Sequence, residues 1–257
     1  RPAIYIMPTS GGQSQQLSFE LSNIKLHGWK DDSTLLYSTF SESGMHNSWV
    51  LKTLDIASLK TNILPLSDAV EGTISADGKT LFFTQFGLQI SSDNANHYKG
   101  GASGELWRFE LDNTDEAVLL TSEHNGSVRT PMLYGGRLFF LSNEMGIDNI
   151  WSMELDGSDI RQHTRFDDFA VRNAYLNGSK IVFQHGADIK QFDLVSNQTT
   201  SFDIRLQSDF AHLQTRYVDK PLGYLESANL GNDGEKVVLT ARGRITVADN
   251  EVSRLVN

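Results

Sequence analysis

One pattern recurs along this chain and limits what it can fold into. A turn built on Asx-Gly or Gly-Gly is followed by an apolar strand, a loop of variable length, a second strand, a further turn and a short stretch that ends in a hydroxyl residue. One copy reads Asp77-Gly78, Leu81-Phe82-Phe83, Leu106 to Leu111 and Leu119-Leu120-Thr121; the next reads Gly135-Gly136, Leu138 to Leu141, Ile150 to Leu155, Asp156-Gly157 and His163-Thr164. A third reads Asn177-Gly178, Ile181-Val182-Phe183, Ile189 to Leu194 and Thr199-Thr200. The glycine and Asx positions tolerate the positive φ of tight hairpins. Trp107-Arg108-Phe109-Glu110-Leu111 alternates as a half-buried strand does. Leu81-Phe82-Phe83 and Leu138 to Leu141 are apolar throughout, as strands covered on both faces are. One four-stranded unit cannot cover both its faces alone. Units stacked radially can, and the all-β architecture that results is a β-propeller.

Units are expected at about 70–121, 128–164 and 170–206, preceded by one running from the strand Ile24 to Trp29 as far as Leu66. Before these, Ala3 to Met7, Gly11-Gly12 and Leu17-Ser18 read as the second half of a repeat whose first half is missing. Arg1-Pro2-Ala3 opens inside a strand pattern, so the chain is expected to be a piece of a longer one and its propeller incomplete. From Gln207 the pattern lapses, and Pro221 ends regular structure there. It restarts at Ala228 with Asp233-Gly234, Lys236 to Thr240 and Gly243 to Val247. The expected organisation is therefore propeller blades over 1–206 and a linker over 207–227. Residues 228–257 are read as the first hairpins of a second propeller or as strands closing the first ring.

A formal net charge of -10 argues against a nucleic-acid partner, which needs clustered Lys and Arg. No apolar stretch approaches the length of a membrane span, so no membrane insertion is expected. The chain has no cysteine, which excludes disulfides and thiolate metal sites. That suits a reducing compartment, and equally a periplasmic protein without disulfides.

No Gly-x-Ser-x-Gly elbow is present, and Ser103 between Gly101 and Gly104 lies in a loop before a strand, not at a strand-to-helix turn. The seven histidines are scattered and none stands at metal-ligand spacing. Asp156-Gly157-Ser158-Asp159 lacks the spacing and terminal Glu of a calcium loop. No catalytic residue, metal or cofactor is expected, and no carboxylate or histidine constellation stands out from the turn residues. The insertion Gln89 to Gly104 is the best binding candidate, with Asp93, His97, Tyr98 and Lys99 set between Ser and Gly. Long loops on a rigid scaffold often carry binding; a subunit-packing loop is the alternative. Trp29, Trp49, Trp107 and Trp151 fall on strands and are expected to pack blade against blade.

The loop Lys99-Gly100-Gly101 leading into Gly104 to Trp107, the segments Gly146 to Ser152 and Leu155 to Thr164, and Thr240 to Ile245 resemble the propeller region of the tricorn protease family. The long insertion at Phe86 to Gly104 falls in the unit where that family also carries one. The resemblance implies WD40-like or TolB-like blades in a six-bladed ring, followed in the family by a second propeller and catalytic domains. It implies a non-catalytic segment of a serine peptidase that controls the access of peptide substrates. Partners would be peptides and other domains or subunits of a homo-oligomeric, cytoplasmic parent. The family's catalytic Ser and His lie downstream of Asn257, so none is carried over. A stand-alone protein-interaction module is the alternative.

Overall fold

The structure is a computed structural model that describes residues 2–20, 22–40, 48–85, 96–112, 115–205, 213, 215 and 219–249. Two compact units are present, 1–203 and 204–257. The first opens with a short antiparallel pair, β1 (Tyr5–Ile6) and β2 (Gln15–Gln16). Four antiparallel four-stranded sheets follow, each built from strands consecutive in sequence. Blade one comprises β3 (Ile24–Asp31), β4 (Thr34–Thr39), β5 (Val50–Asp55) and β6 (Thr61–Ile63). Blade two comprises β7 (Ala69–Ile74), β8 (Thr80–Gln85), β9 (Glu105–Glu110) and β10 (Val118–Leu119). Blade three comprises β11 (Val128–Tyr134), β12 (Arg137–Ser142), β13 (Asn149–Glu154) and β14 (Arg161–Gln162). Blade four comprises β15 (Val171–Asn177), β16 (Lys180–His185), β17 (Asp188–Asp193) and β18 (Gln198–Ser201). The expected propeller repeat is what the chain forms, and no ring closes among the described residues.

The unbroken apolar runs follow from the two-residue period of a strand, which sends successive side chains to opposite faces. In β8, Leu81 and Phe83 pack toward blade one while Phe82 packs toward blade three. In β12, Leu138 and Phe140 face blade two while Phe139 and Leu141 face blade four. Blades two and three thus each supply half of two cores, and truncating one such residue to Ala costs about 2–5 kcal/mol. Blade four shows the contrast: Ile181 and Phe183 are buried, Gln184 is exposed, and Tyr175 stands 62% exposed on β15. At the other end Ile4 and Leu17, which flank the β1–β2 pair, pack on Leu35 and Tyr37 of β4 and Leu54 of β5 in blade one. Trp29 on β3 remains 53% exposed. Trp151 packs in the core between blades two and three and Trp107 against that between blades one and two, Trp49 is buried on Phe40 of its own blade, and Trp29 belongs to none of the described core clusters.

The recurring hydroxyl has a physical role after β2 and at the ends of blades two and three. The backbone N–H of Leu106 donates to Thr121 Oγ1 at 3.0 Å, that of Ile150 to Thr164 Oγ1 at 2.9 Å, and that of Ile4 to Ser18 Oγ at 2.8 Å. Each bond latches the third strand to the chain leaving the fourth. At the opposite end the hairpin turns are closed by aspartates. Asp55, Asp77 and Asp156 accept from Ser58, Ser75 and Ser158, and these bonds hold the three carboxyls below their usual range.

The second unit begins its regular structure with a 3-10 turn, Pro221–Tyr224. A three-stranded antiparallel sheet follows: β19 (Leu225–Leu230), β20 (Lys236–Ala241) and β21 (Arg244–Asp249). Leu230 and Ile245 are exposed on it. Among the described residues no helix is long and apolar enough to cross a membrane.

Candidate functional site

The first strands of the four blades stand side by side and line a channel of about 900 Å³. Each of these strands carries a register shift near its start: between Leu26 and Gly28, Ala69 and Glu71, Arg129 and Met132, and Arg172 and Tyr175. A bulge adds a residue, bends the strand and re-aims the side chains beside it. Lys25, Arg129 and Arg172 occupy the second position of β3, β11 and β15, and blade two has Val70 there. Three cations therefore gather at the channel mouth where these strands begin.

Two carboxylates hold them. Glu71, buried on β7, receives the Lys25 ammonium on Oε1 and the backbone N–H of Thr130 on Oε2. Burial alone would push its pKa up. The Lys25 charge and these hydrogen bonds outweigh burial and bring it below the usual value. Asp148, at the start of β13, receives the guanidinium groups of both Arg129 and Arg172. His27 lies on β3 beside the Glu71–Lys25 pair, with Nε2 2.9 Å from Ser38 Oγ. Burial pushes its pKa down to about 4, against the attraction of Glu71, so the ring is neutral at ordinary pH. The channel wall carries Lys25, Arg129 and Arg172 against the one carboxylate of Glu71. It does not share the negative balance of the whole chain.

The insertion is placed at this same mouth. Asp93 lies outside the described residues. His97, Tyr98 and Lys99 come together on the turn that joins β12 to β13 in the next blade. The His97 N–H donates to the Gly146 carbonyl at 3.0 Å, Lys99 Nζ donates to the Glu144 carbonyl at 2.8 Å, and Asn143 Nδ2 donates to the Tyr98 carbonyl at 3.3 Å. Tyr98 Oη in turn accepts the Ala102 N–H at 3.2 Å. One residue earlier, Asn96 Oδ1 accepts from Arg172 Nη2 at 3.0 Å. This segment of blade two thereby bridges blade three and reaches blade four. The His97 and Lys99 side chains remain exposed.

One group has the outline of a nucleophilic site. Ser142 Oγ lies 2.7 Å from His124 Nε2, and His124 Nδ1 lies 3.3 Å from Glu144 Oε2. Order and spacing fit nucleophile, base and orienting carboxylate. Access does not. Ser142 is fully buried, its oxygen already accepts the Glu144 N–H at 3.2 Å, and a Cβ at Gly126 would lie 2.2 Å from it. The His124 ring is edge-on to Phe140 and Trp151. Its pKa is lowered by burial against the pull of Glu144. The group braces a turn and offers no room for a substrate carbonyl. His163 bonds at a strand end: its N–H donates to the Ile150 carbonyl at 2.8 Å and its ring lies 2.8 Å from Ser152 Oγ. Among the described residues no His/Asp/Glu cluster suited to a metal is present.

The mouth cluster was not visible in the sequence. Lys25 and Glu71 are 46 positions apart, and Glu71 and Thr130 are 59. The signal that existed is the recurrence of Val-Arg at 128–129 and 171–172, each opening a first strand.

Comparison with known proteins places this geometry. The family described as the tricorn protease N-terminal beta propeller domain matches residues 1–198. A tricorn protease homolog of Saccharolobus solfataricus is 30% identical over 244 residues, covering 94% of this chain and 22% of the relative. Tricorn protease homolog 1 of Streptomyces coelicolor is 27% identical over 219 residues, covering 83% of this chain and 20% of the relative. The crystal structure of the tricorn protease superposes with a TM-score of 0.73 at 22% identity, over 99% of this chain and 24% of that one. The chain thus spans about a fifth of the length of the curated relatives it matches.

Proposed function

As the chain belongs to the family of tricorn protease N-terminal β-propeller domains, we propose that it serves as the non-catalytic propeller segment of a tricorn-like serine protease. In this reading it controls the access of peptide substrates to an active site outside this chain. The observation that carries the reading is the channel lined by four first strands. Among the described residues the serine–histidine–carboxylate group at Ser142 is buried and does not line that channel. Residues 1–206 supply the blades, 207–227 the connection and 228–257 the first hairpins of a second propeller or strands that close the first ring. His97, Tyr98 and Lys99 form a contact loop for peptide or a neighbouring subunit, and the parent is a cytoplasmic homo-oligomer.

The test uses the full-length protein and Thr73→Trp, which places a bulky side chain on the channel wall. The expected result is a larger loss of kcat/KM for long peptides than for dipeptide-length substrates. An equal effect on both, or none, overturns the reading. The isolated chain is expected to cleave no fluorogenic peptide and to bind no serine-reactive probe.

A further inference from the structure

Thr130 stands at φ 54° inside the bulge of β11, a region that a β-branched side chain rarely enters. Its counterpart in blade four, Asn173 at φ 51°, is of a type that accepts this conformation more readily. Such a residue persists where its surroundings over-determine it. At Thr130 the surrounding group is Glu71, which comes from the neighbouring blade and takes the Thr130 N–H that the bulge leaves without a ladder partner. Glu71 is itself pinned from the other side by Lys25 of blade one. Immediately before Thr130 stands Arg129, aimed at Asp148. Loss of the bulge would shift the register of β11, and each residue of slip reverses the direction of a side chain.

We infer that Glu71 is a positioning residue that holds β11 in its bulged register and so keeps Arg129 seated on Asp148 at the channel mouth. The contact crosses from blade to blade, so it sets the wall of the channel as well as one strand's geometry. Its consequence for passage rests on the reading of the channel as a peptide path; the positioning itself does not.

Hydrogen exchange read by mass spectrometry on the full-length protein separates the roles. Glu71→Met removes the acceptor, Lys25→Met removes only the ammonium on the far side, and Thr130→Gly relieves the backbone that Glu71 holds. Glu71→Met is expected to speed exchange over 128–134 about tenfold or more relative to 137–142, because the opening is local. Lys25→Met should leave 128–134 within about threefold of wild type, and Thr130→Gly added to Glu71→Met should restore it to the same margin. Should Glu71→Met not accumulate as folded protein, Glu71→Gln keeps the volume, weakens the charge-assisted bond and carries the same comparison at about threefold. Unchanged exchange over 128–134, equal effects of the Lys25 and Glu71 variants, or no rescue by Thr130→Gly would each overturn the inference. Failure of the peptide-path reading alone would leave these exchange rates as expected.

Discussion

Gly104 and Val128 meet at the seam between blades two and three. The Val128 N–H donates to the Gly104 carbonyl at 2.9 Å, and a Cβ on residue 104 would lie 2.3 Å from the Val128 carbonyl oxygen. The obstacle is backbone held in a strand, so it has no rotamer by which to yield. Gly104→Ala is expected to destabilise the blade two–three seam by about 1–3 kcal/mol. Gly101→Ala has open space around it and is expected to stay within about 0.5 kcal/mol of wild type. Urea unfolding of the two variants checks the contrast, and equal midpoints would refute it.

The hydroxyl latch gives a second outcome. Thr164 Oγ1 accepts the Ile150 N–H and donates to Asn149 Oδ1, both at 2.9 Å, in a buried setting. Thr164→Val keeps the shape but leaves the buried Ile150 N–H without its acceptor, while Asn149 Oδ1 keeps only the Phe166 N–H, at a cost of about 1–3 kcal/mol. Thr164→Ser retains the bonds and is expected to lose less. Chemical denaturation of the pair decides; a Val variant as stable as the Ser variant would remove the latch from the account.

Acid is expected to weaken the fold in two steps. Burial brings the folded pKa of His27 down to about 4, from the ordinary histidine value of 6.5. The unfolded chain therefore takes up the proton first as pH falls. The contribution is fully present above about pH 6.5 and lost toward pH 4, amounting to at most about 3 kcal/mol. The depressed Glu71 carboxyl adds a loss at lower pH, as it protonates below the usual carboxylate range. His27→Gln is expected to flatten the denaturation midpoint between pH 6.5 and 4; an unchanged slope in that window would assign the effect elsewhere.

Lys52 and Glu20 form a shielded pair at 2.8 Å between the opening strand pair and blade one. Tyr37 also donates to Glu20, at 2.5 Å. Burial would raise the Glu20 pKa, but the Lys52 and Tyr37 bonds hold it below the usual value. In Lys52→Met burial gains the upper hand, and carboxyl titration followed by NMR should show the Glu20 pKa moved upward. A Glu20 pKa that stays where it is would make Tyr37 the dominant partner.

Turn chemistry and strand alternation are local, and so they were legible. Asp77-Gly78, Gly135-Gly136 and Asn177-Gly178 each close the hairpin at which they were read. The doubled apolar runs at Leu81 and Leu138 foretold two-sided burial because every blade has two neighbours. The hydroxyl ending each unit was visible as a recurrence, although its bond to a third-strand N–H needed the structure. What escaped was the mouth cluster. Lys25, Glu71, Arg129, Asp148 and Arg172 come from four blades, and each looks in sequence like an ordinary strand or turn charge. Their meeting is set by the rotation from one blade to the next and by bulges, which a strand pattern does not reveal. Trp29 was misread for a related reason: an aromatic on a strand is buried only if another sheet lies against that face.

Each sheet is completed by strands that follow one another directly in the chain. Apart from the insertion between β8 and β9, pairing within a blade therefore closes short loops, the condition under which ordering is fast. During synthesis a blade can take shape as soon as its fourth strand has emerged. The bonds from Glu71 to the Thr130 N–H and from Asp148 to Arg172 come later, because each needs a residue of the following blade. Assembly is thus vectorial: early blades wait with an uncovered face until later ones arrive. A pause in translation just before Val128 or Val171 would expose that face for longest, and there a chaperone would have most to protect.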